Sequence, residues 1–261
     1  MKVCVCGACG KMGSEVVRTI KKEDDMVLAG AVDAFHVGES IGDIAGTGDA
    51  IVVSDNLKKV LEDSKPDVMV ELTSPKSVYE NAKTALECGV PVVIGATGLT
   101  KEQVATLEKI ATEKGIGVLW ATNFAIGAIL MMEFAAKAAK YFNNVEIIEY
   151  HHDNKLDAPS GTSLTTAGLI EKVRESRKQG NPEEKELVSG ARGAEVDGFR
   201  IHSVRLPGFV AHQEVIFGDV GQVLTIRHDS MSRESFMPGI MMACRNLIGK
   251  KGFFEGLDKL I

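Results

Sequence analysis

Two histidines, a lysine and a Gly-Thr pair crowd into one short stretch of this chain, Glu149-Tyr150-His151-His152-Asp153-Asn154-Lys155-Leu156-Asp157-Ala158-Pro159-Ser160-Gly161-Thr162. Histidine exchanges protons near neutral pH, and lysine holds an anion or donates a proton. Ser160-Gly161-Thr162 has the form of a helix start, whose unpaired backbone N–H groups suit a carboxylate or phosphate. The stretch is therefore equipped to protonate an anionic substrate while gripping its acid groups. A polar surface loop with idle histidines is the competing reading, and it loses force as more such groups share one segment.

The surrounding elements must deliver these groups. Residues 145–152 read as a strand that carries the histidines at its end, preceded by an apolar, alanine-rich helix over 125–141. After the helix that starts at Ser160, the heavily charged residues 171–186 read as a solvated helix face and loop. Residues 199–206, 213–217 and 222–228 are strand-like runs separated by Gly or Pro turns. Without helices between them they should pair antiparallel, which makes this half a separate α+β domain. The apolar face of such a sheet suggests an oligomer interface. A helix over 236–247 returns to the first domain.

The first half has another rhythm. A β-type run over 2–6 leads into Gly7-Ala8-Cys9-Gly10-Lys11-Met12-Gly13, a helical pattern, a second strand over 26–32, and Asp33. Strand, glycine turn, helix and strand, closed by an acid, make the dinucleotide-binding unit. Its glycines allow a tight turn, close approach of backbone to a pyrophosphate, and close helix packing. Asp33 stands twenty positions after Gly13, where its carboxylate can accept from the ribose hydroxyls. The spacing is G-x-x-G-x-x-G, with Cys9 at the middle position of the usual pattern, so the loop alone is a weak signal that gains from its strand, helix and acid. Lys11 could reach a 2′-phosphate, while Asp33 disfavours one.

Further strands are expected over 67–72, 91–94 and 117–120, with a helix capped by Thr100 and Gln103. Ligands of doubly wound sheets sit beyond the carboxyl ends of strands. Thr73, Gly95, Thr97, Asn123 and Phe124 all fall at such ends, where ordinary turn chemistry is the alternative.

Composition bounds these readings. Hydrophobic residues make up 44% and charged residues 25% of 261 residues, with a formal charge of −6. No basic run offers a surface for nucleic acid, and no apolar stretch or leader points to a membrane or to export, so a cytoplasmic location is expected. Cys4, Cys6, Cys9, Cys88 and Cys244 are odd in number and irregularly spaced, which fits free thiols. Cys6 and Cys9 form a C-x-x-C, yet no second pair completes a zinc site and the glycine loop explains their place. A metal hydrolase using His151, His152 and Asp153 is disfavoured because adjacent strand residues point to opposite faces; no metal is expected. A semialdehyde dehydrogenase would need a nucleophilic cysteine in a polar site, and Cys88 and Cys244 occupy apolar helix positions. A nucleotide sensor would have no use for the His151 and Lys155 cluster. Hydride transfer coupled to protonation remains.

Here the chain resembles the 4-hydroxy-tetrahydrodipicolinate reductases (the dihydrodipicolinate reductase family) over essentially its whole length. The resemblance rests on the glycine loop, Gly95-Ala96-Thr97-Gly98, Asn123-Phe124 and, above all, the specific stretch 149–162. It implies that His151 and Lys155 are the acid–base pair and that His152, Gly161 and Thr162 contact substrate carboxylates. It implies that Gly7, Ala8, Cys9, Gly10, Lys11, Met12, Asp33, Gly95, Ala96, Thr97, Ala121, Thr122, Asn123 and Phe124 hold NADH or NADPH. It further implies a small dicarboxylate substrate, a homotetramer, and an α/β fold: a Rossmann-like dinucleotide-binding domain over 1–124 and 234–261. The second domain, over 125–233, is then an α+β substrate-binding and oligomerisation domain on an open mixed or antiparallel sheet. Nicotinamide and histidine would lie on different domains that must meet. Ala96 and Cys9 depart from the commoner Thr and Gly, and Ala34 replaces an arginine that some relatives carry, which tilts the expectation toward NADH. A reductase of another small dicarboxylate, or a non-catalytic NAD(P) sensor, is the remaining alternative.

Overall fold

Hydrophobic runs with strand spacing alternate with capped helices through the first 124 residues, and the chain obeys that pattern. The computed structural model describes residues 1–261, which divide into two compact units, Met1–Phe124 with Phe236–Ile261, and Ala125–Ser235.

The first unit is built on β1 (Lys2–Cys6), β2 (Val27–Val32), β3 (Val68–Glu71), β4 (Val92–Ile94), β5 (Gly117–Trp120) and β11 (Gly252–Glu255). They form one sheet in the order β11-β5-β4-β3-β1-β2, and every pairing is parallel. Helices α1 (Lys11–Ile20), α2 (Ile41–Ala45), α3 (Leu57–Ser64), α4 (Val78–Glu87), α5 (Lys101–Lys114) and α8 (Met237–Leu247) accompany it. Parallel strands between helix layers read as apolar runs, as β4 does and as β3 does up to Glu71: each of their residues is buried. Burying each Val, Met or Ile is worth about 1.5–3 kcal/mol, which outweighs the modest helix or strand preference of any one residue. The Thr100–Gln103 capping box forms at the start of α5, both of its hydrogen bonds being present. Ser54 makes a parallel bridge to Val32, so a short extended stretch stands beyond β2 in place of a further strand.

The second unit holds α6 (Ile126–Ala138), β6 (Asn144–His151), α7 (Gly161–Glu171), β7 (Ala194–Val196), β8 (Phe199–Arg205), β9 (Ala211–Asp219) and β10 (Gln222–Ser230). Its sheet runs β10-β9-β6-β8-β7. The expectation of consecutive antiparallel strands needs correcting here. β9 and β10 do pair antiparallel, but β6 inserts between β8 and β9, pairing parallel with the former and antiparallel with the latter. The sequence between β6 and β8 includes α7 and a long connection, long enough for the crossover that a parallel pair requires.

Residues 171–186 of that connection are exposed, as their composition suggested, except for Arg174 and Gln179. The guanidinium of Arg174 is buried and donates to the carbonyls of Asn143 (2.8 Å), Asp197 (3.0 Å) and Arg177 (2.9 Å) while lying over the Phe199 ring. Gln179 donates to the Val145 carbonyl at 2.8 Å and accepts from its N–H at 2.9 Å. Gln179 fastens the connection to β6 and Arg174 fastens it to the residue just before β6, each satisfying backbone groups that would otherwise be stranded.

Candidate active site

Strand periodicity places Val145, Ile147 and Glu149 of β6 on the face that packs inward, and His151 continues that row at the rim. Glu149 is wholly buried. Its carboxylate accepts from both terminal nitrogens of Arg205, at 2.8 and 2.7 Å, and from the Ser160 N–H at 3.3 Å. A short hydrogen bond joins it to Nδ1 of His151. One side chain thus ties together the ends of β6 and β8 and the start of α7. Burial alone would raise its pKa, but hydrogen bonds from His151, Arg205 and Ser203 outweigh that and lower it to about 2. Because the carboxylate is ionised and can only accept, the proton between the two groups sits on Nδ1, and Nε2 is the ring nitrogen left for chemistry.

Helix α7 opens with Ser160 as its N-cap, the hydroxyl accepting from Ser163 N at 3.2 Å. Ser163 donates to Gln213 at 2.8 Å, and Gln213 donates to Thr166 at 2.8 Å, a buried chain that seats α7 on β9. Gly161 and Thr162 form the first turn. A methyl group built on Gly161 would meet nothing within 4 Å, so protein packing does not require a glycine there. Lys155, largely covered, donates to Asp157 at 2.7 Å, and Arg205 reaches the Asp157 carbonyl at 2.9 Å. His152 lies just past the strand and is exposed. The second unit therefore brings His151, Lys155 and the α7 start into one loop cluster.

The first unit carries a cavity of about 490 Å³ at the carboxyl ends of β1, β2 and β3. Strand order reverses direction between β1 and β3, the kind of place where doubly wound folds bind ligands. Of the residues expected to hold a nucleotide, Gly7, Cys9, Gly10 and Asp33 line it, joined by Asp55, Leu72, Thr73, Ser77 and Asn81 among others; no lysine or arginine does. Gly7 has φ +81°, and a methyl group on Gly13 would lie 2.0 Å from the Gly7 carbonyl oxygen. The loop can take this path only with glycine at both places. Gly10 caps α1 without a side chain, which leaves the N–H groups of the first turn, Lys11, Met12 and Gly13, open toward an anion. Asp33 accepts from Cys9 N at 2.9 Å and Phe35 N at 3.0 Å, so its carboxylate is locked at the end of β2 with lone pairs to spare.

Other expected residues stand apart from this cavity. Ala8 is buried with its N–H bonded to the Val32 carbonyl, and Lys11 is exposed on α1. Gly95, Ala96 and Thr97 follow β4, and Ala121, Thr122, Asn123 and Phe124 follow β5, farther along the same sheet edge. They do come together. A methyl group on Gly95 would approach Leu72 at 2.7 Å and Phe124 at 3.2 Å, and Trp120 donates to the Ala96 carbonyl at 3.0 Å.

The thiols are held protonated. Burial pushes Cys4 and Cys244 up to about 12, and burial together with Asp33 raises Cys9 to about 11; a nucleophilic or redox cysteine needs the opposite shift.

Sequence reasoning assigned no role to Glu149, Arg205 or Glu71. Glu149 was within reach, since it precedes His151 by two positions and so shares its strand face. Arg205 had no local signal, because only the parallel register of β6 and β8 sets it opposite His151.

A switch-point cavity beside a glycine-cradled helix, joined in one chain to an anchored histidine at the start of another helix, defines the class of two-domain nucleotide-dependent reductases. Comparison with known proteins narrows it. Residues 1–124 match the family model "Dihydrodipicolinate reductase, N-terminus", and residues 127–261 match "Dihydrodipicolinate reductase, C-terminus". A 4-hydroxy-tetrahydrodipicolinate reductase of Listeria monocytogenes is 53% identical, with 100% of each chain covered; one of Desulfitobacterium hafniense is 51% identical, covering 100% of this chain and 98% of the relative. The dipicolinate-bound dihydrodipicolinate reductase of Paenisporosarcina sp. TG-14 superposes with a TM-score of 0.90 at 44% identity, covering 100% of this chain and 99% of that one. The chain belongs to the dihydrodipicolinate reductase family.

Proposed function

We propose that this protein reduces 4-hydroxy-2,3,4,5-tetrahydrodipicolinate to 2,3,4,5-tetrahydrodipicolinate with NADH or NADPH, releasing water, in the diaminopimelate route to lysine. The observation that carries the reading is the Glu149-anchored His151, tied through the Ser160 N–H to the start of α7, a proton-handling group next to a helix N-terminus.

The bound nicotinamide supplies a hydride to C4 of the unsaturated ring, and the chain does the rest. Gly7, Ala8, Cys9, Gly10, Lys11 and Met12 hold the pyrophosphate through backbone N–H groups and the α1 terminus. Asp33 accepts from the ribose hydroxyls, and the ends of β4 and β5, Gly95–Thr97 and Ala121–Phe124, hold the nicotinamide half. Two features support this fit: a loop path that only glycine permits at Gly7 and Gly13, and a first turn at α1 without a side-chain cap. Asp33 together with a cavity lacking Lys and Arg favours NADH.

His152, Gly161 and Thr162 grip the two carboxylates. His151 Nε2 and Lys155 Nζ move the proton that completes reduction at C3, while Glu149 stabilises the imidazolium and fixes its tautomer. This arrangement is a positioned acid–base pair, worth roughly 10²–10⁴ in rate. The chain acts as a homotetramer in the cytoplasm. Support for assembly comes from β10, which pairs only with β9 and leaves a nine-residue edge with Val223 72% exposed, the kind of edge that soluble proteins cover. Light scattering would check the assembly.

The decisive assay follows reduced-nicotinamide absorbance when the protein meets substrate freshly made from pyruvate and aspartate semialdehyde by the upstream synthase. Rapid loss is expected, faster with NADH. Lys155→Ala should lower kcat by about 10²-fold or more with NADH affinity unchanged; a parallel loss of NADH affinity would refute the assignment of Lys155.

A further inference from the structure

Glu71, the last residue of β3, is wholly buried, and no cation pairs with it. Its Oε1 accepts from the Thr73 N–H at 3.3 Å, from the Thr73 hydroxyl through a short bond, and from Asn81 Nδ2 at 3.1 Å. Its Oε2 is buried without a hydrogen-bond partner. The backbone N–H of Thr73 can only donate, so Oε1 is an acceptor whether or not Oε2 carries a proton.

That fixed acceptor sets the direction of everything attached to it. The Thr73 hydroxyl spends its one hydrogen on Glu71 and accepts from Ser77 Oγ at 2.9 Å. Ser77 has then spent its own hydrogen, so Ser74, 3.2 Å away, donates to Ser77. Asn81 sends its amide nitrogen toward Oε1 and Thr73 Oγ1, the latter 3.3 Å away. A flipped amide would set its carbonyl oxygen against an acceptor. With both amide hydrogens spent on Glu71 Oε1 and Thr73 Oγ1, Asn81 turns its carbonyl oxygen away from Glu71 as an acceptor. Thr73, Ser74, Ser77 and Asn81 all line the first unit's cavity.

An asparagine carbonyl held outward as an acceptor complements the exocyclic amino group of adenine, which donates. Hypoxanthine carries a carbonyl oxygen at that place, which would face the acceptor, and an amide free to flip would bind either base. We propose that Glu71 is a specificity-determining positioning residue: by fixing the Asn81 amide through the Thr73 relay, it makes the cavity select an adenine nucleotide over its hypoxanthine counterpart. The proposal deepens the function proposed above and rests on the nucleotide reading of this cavity.

The test is fluorescence titration of the full-length protein with NADH and with reduced nicotinamide hypoxanthine dinucleotide. Wild type should bind NADH about tenfold more tightly than the hypoxanthine form, the size expected when one hydrogen bond is exchanged for two facing acceptors. Glu71→Leu and Asn81→Ala should each bring the two affinities within about threefold, whereas Glu71→Gln, whose carbonyl oxygen still accepts from Thr73, should keep the preference. Circular dichroism melts establish that each variant is folded. Should Glu71→Leu fail to fold, Asn81→Ala and Glu71→Gln still decide the matter. Equal binding of both dinucleotides by wild type, or an unchanged preference in Asn81→Ala, would overturn the proposal alone. Binding of neither by wild type would overturn it together with the nucleotide reading beneath it.

Discussion

Glu71 and Glu149 occupy matching places in the two units: each sits at or near the carboxyl end of a central strand, and each is wholly buried. Their charge states diverge. Burial raises the pKa of Glu71 against the weaker opposing pull of Thr73 and Asn81, because only neutral donors face it. Burial also pushes Glu149 upward, yet His151, Arg205 and Ser203 override it. The same residue under the same desolvation becomes a neutral-leaning scaffold in one unit and a fixed anion in the other. What decides is the donor set, and each donor set suits what its glutamate holds in place. Glu71 directs neutral hydrogen bonds, whereas Glu149 holds His151 and Arg205.

The largest break in this comparison should come from truncation. Glu149→Ala strands the Arg205 guanidinium, so it should cost about 3–5 kcal/mol, as for other buried ion pairs that lose one partner. Glu71→Ala strands only the neutral donors of Thr73 and Asn81 and should cost about 1–3 kcal/mol. Urea melts of both variants at neutral pH measure the difference; equal costs would mean that the charge on Glu149 contributes nothing.

Acid titration sharpens the contrast. The pKa of Glu149 falls on folding from its ordinary 4.5 to about 2, so the stabilisation it confers is fully present above 4.5 and is lost as pH drops toward 2. The linkage corresponds to on the order of 3 kcal/mol. Melting temperature against pH should decline across that window in wild type and decline less steeply in Glu149→Gln. Parallel slopes would show that Glu149 is not the titrating group.

The two helix starts extend the same comparison to glycine. Gly13 of α1 is required by packing, with the Gly7 carbonyl where a methyl group would be, while Gly161 of α7 has open space around it. Gly161→Ala should therefore leave stability unchanged or raise it by under about 1 kcal/mol. If a substrate carboxylate docks on that turn, the same variant should raise the substrate KM several-fold and leave NADH affinity alone. An unchanged KM would remove Gly161 from the binding site.

How much of this could be read beforehand depended on the range of the signal. The glycine loop, Asp33, the Thr100 capping box and the His151–Lys155 stretch are local patterns, and the structure builds each element they announce. β11 and the insertion of β6 between β8 and β9 were not readable, because a strand's neighbours depend on competition among distant segments. Arg174 shows the same limit: in a run of charges nothing distinguishes the one arginine that backbone carbonyls will draw inward. Glu71 did leave a trace, as the one acid in an otherwise apolar strand run, and the signal lay in the violation of pattern rather than in any motif.

The smallest effect separates the two glutamates most sharply, because its sign differs. A carboxyl whose pKa rises on folding takes up protons, so its contribution to stability falls as pH climbs above the ordinary value of 4.5. Glu71→Gln removes that titration while keeping the acceptor that Thr73 needs. The variant should match wild type in acid and gain slightly at pH 7, by under about 1 kcal/mol once the exchange of one hydrogen-bonding group for another is counted. Glu149→Gln replaces an anion facing a histidine and an arginine by a neutral amide, and it should lose stability at pH 7 and approach wild type only in acid. Opposite signs at neutral pH from one conservative substitution would follow from the donor sets alone, since burial is the same at both sites. If both variants lost stability at pH 7, Glu71 would have to carry its charge in the folded protein, and the buried, unpartnered Oε2 would then need a cation or a ligand group beside it.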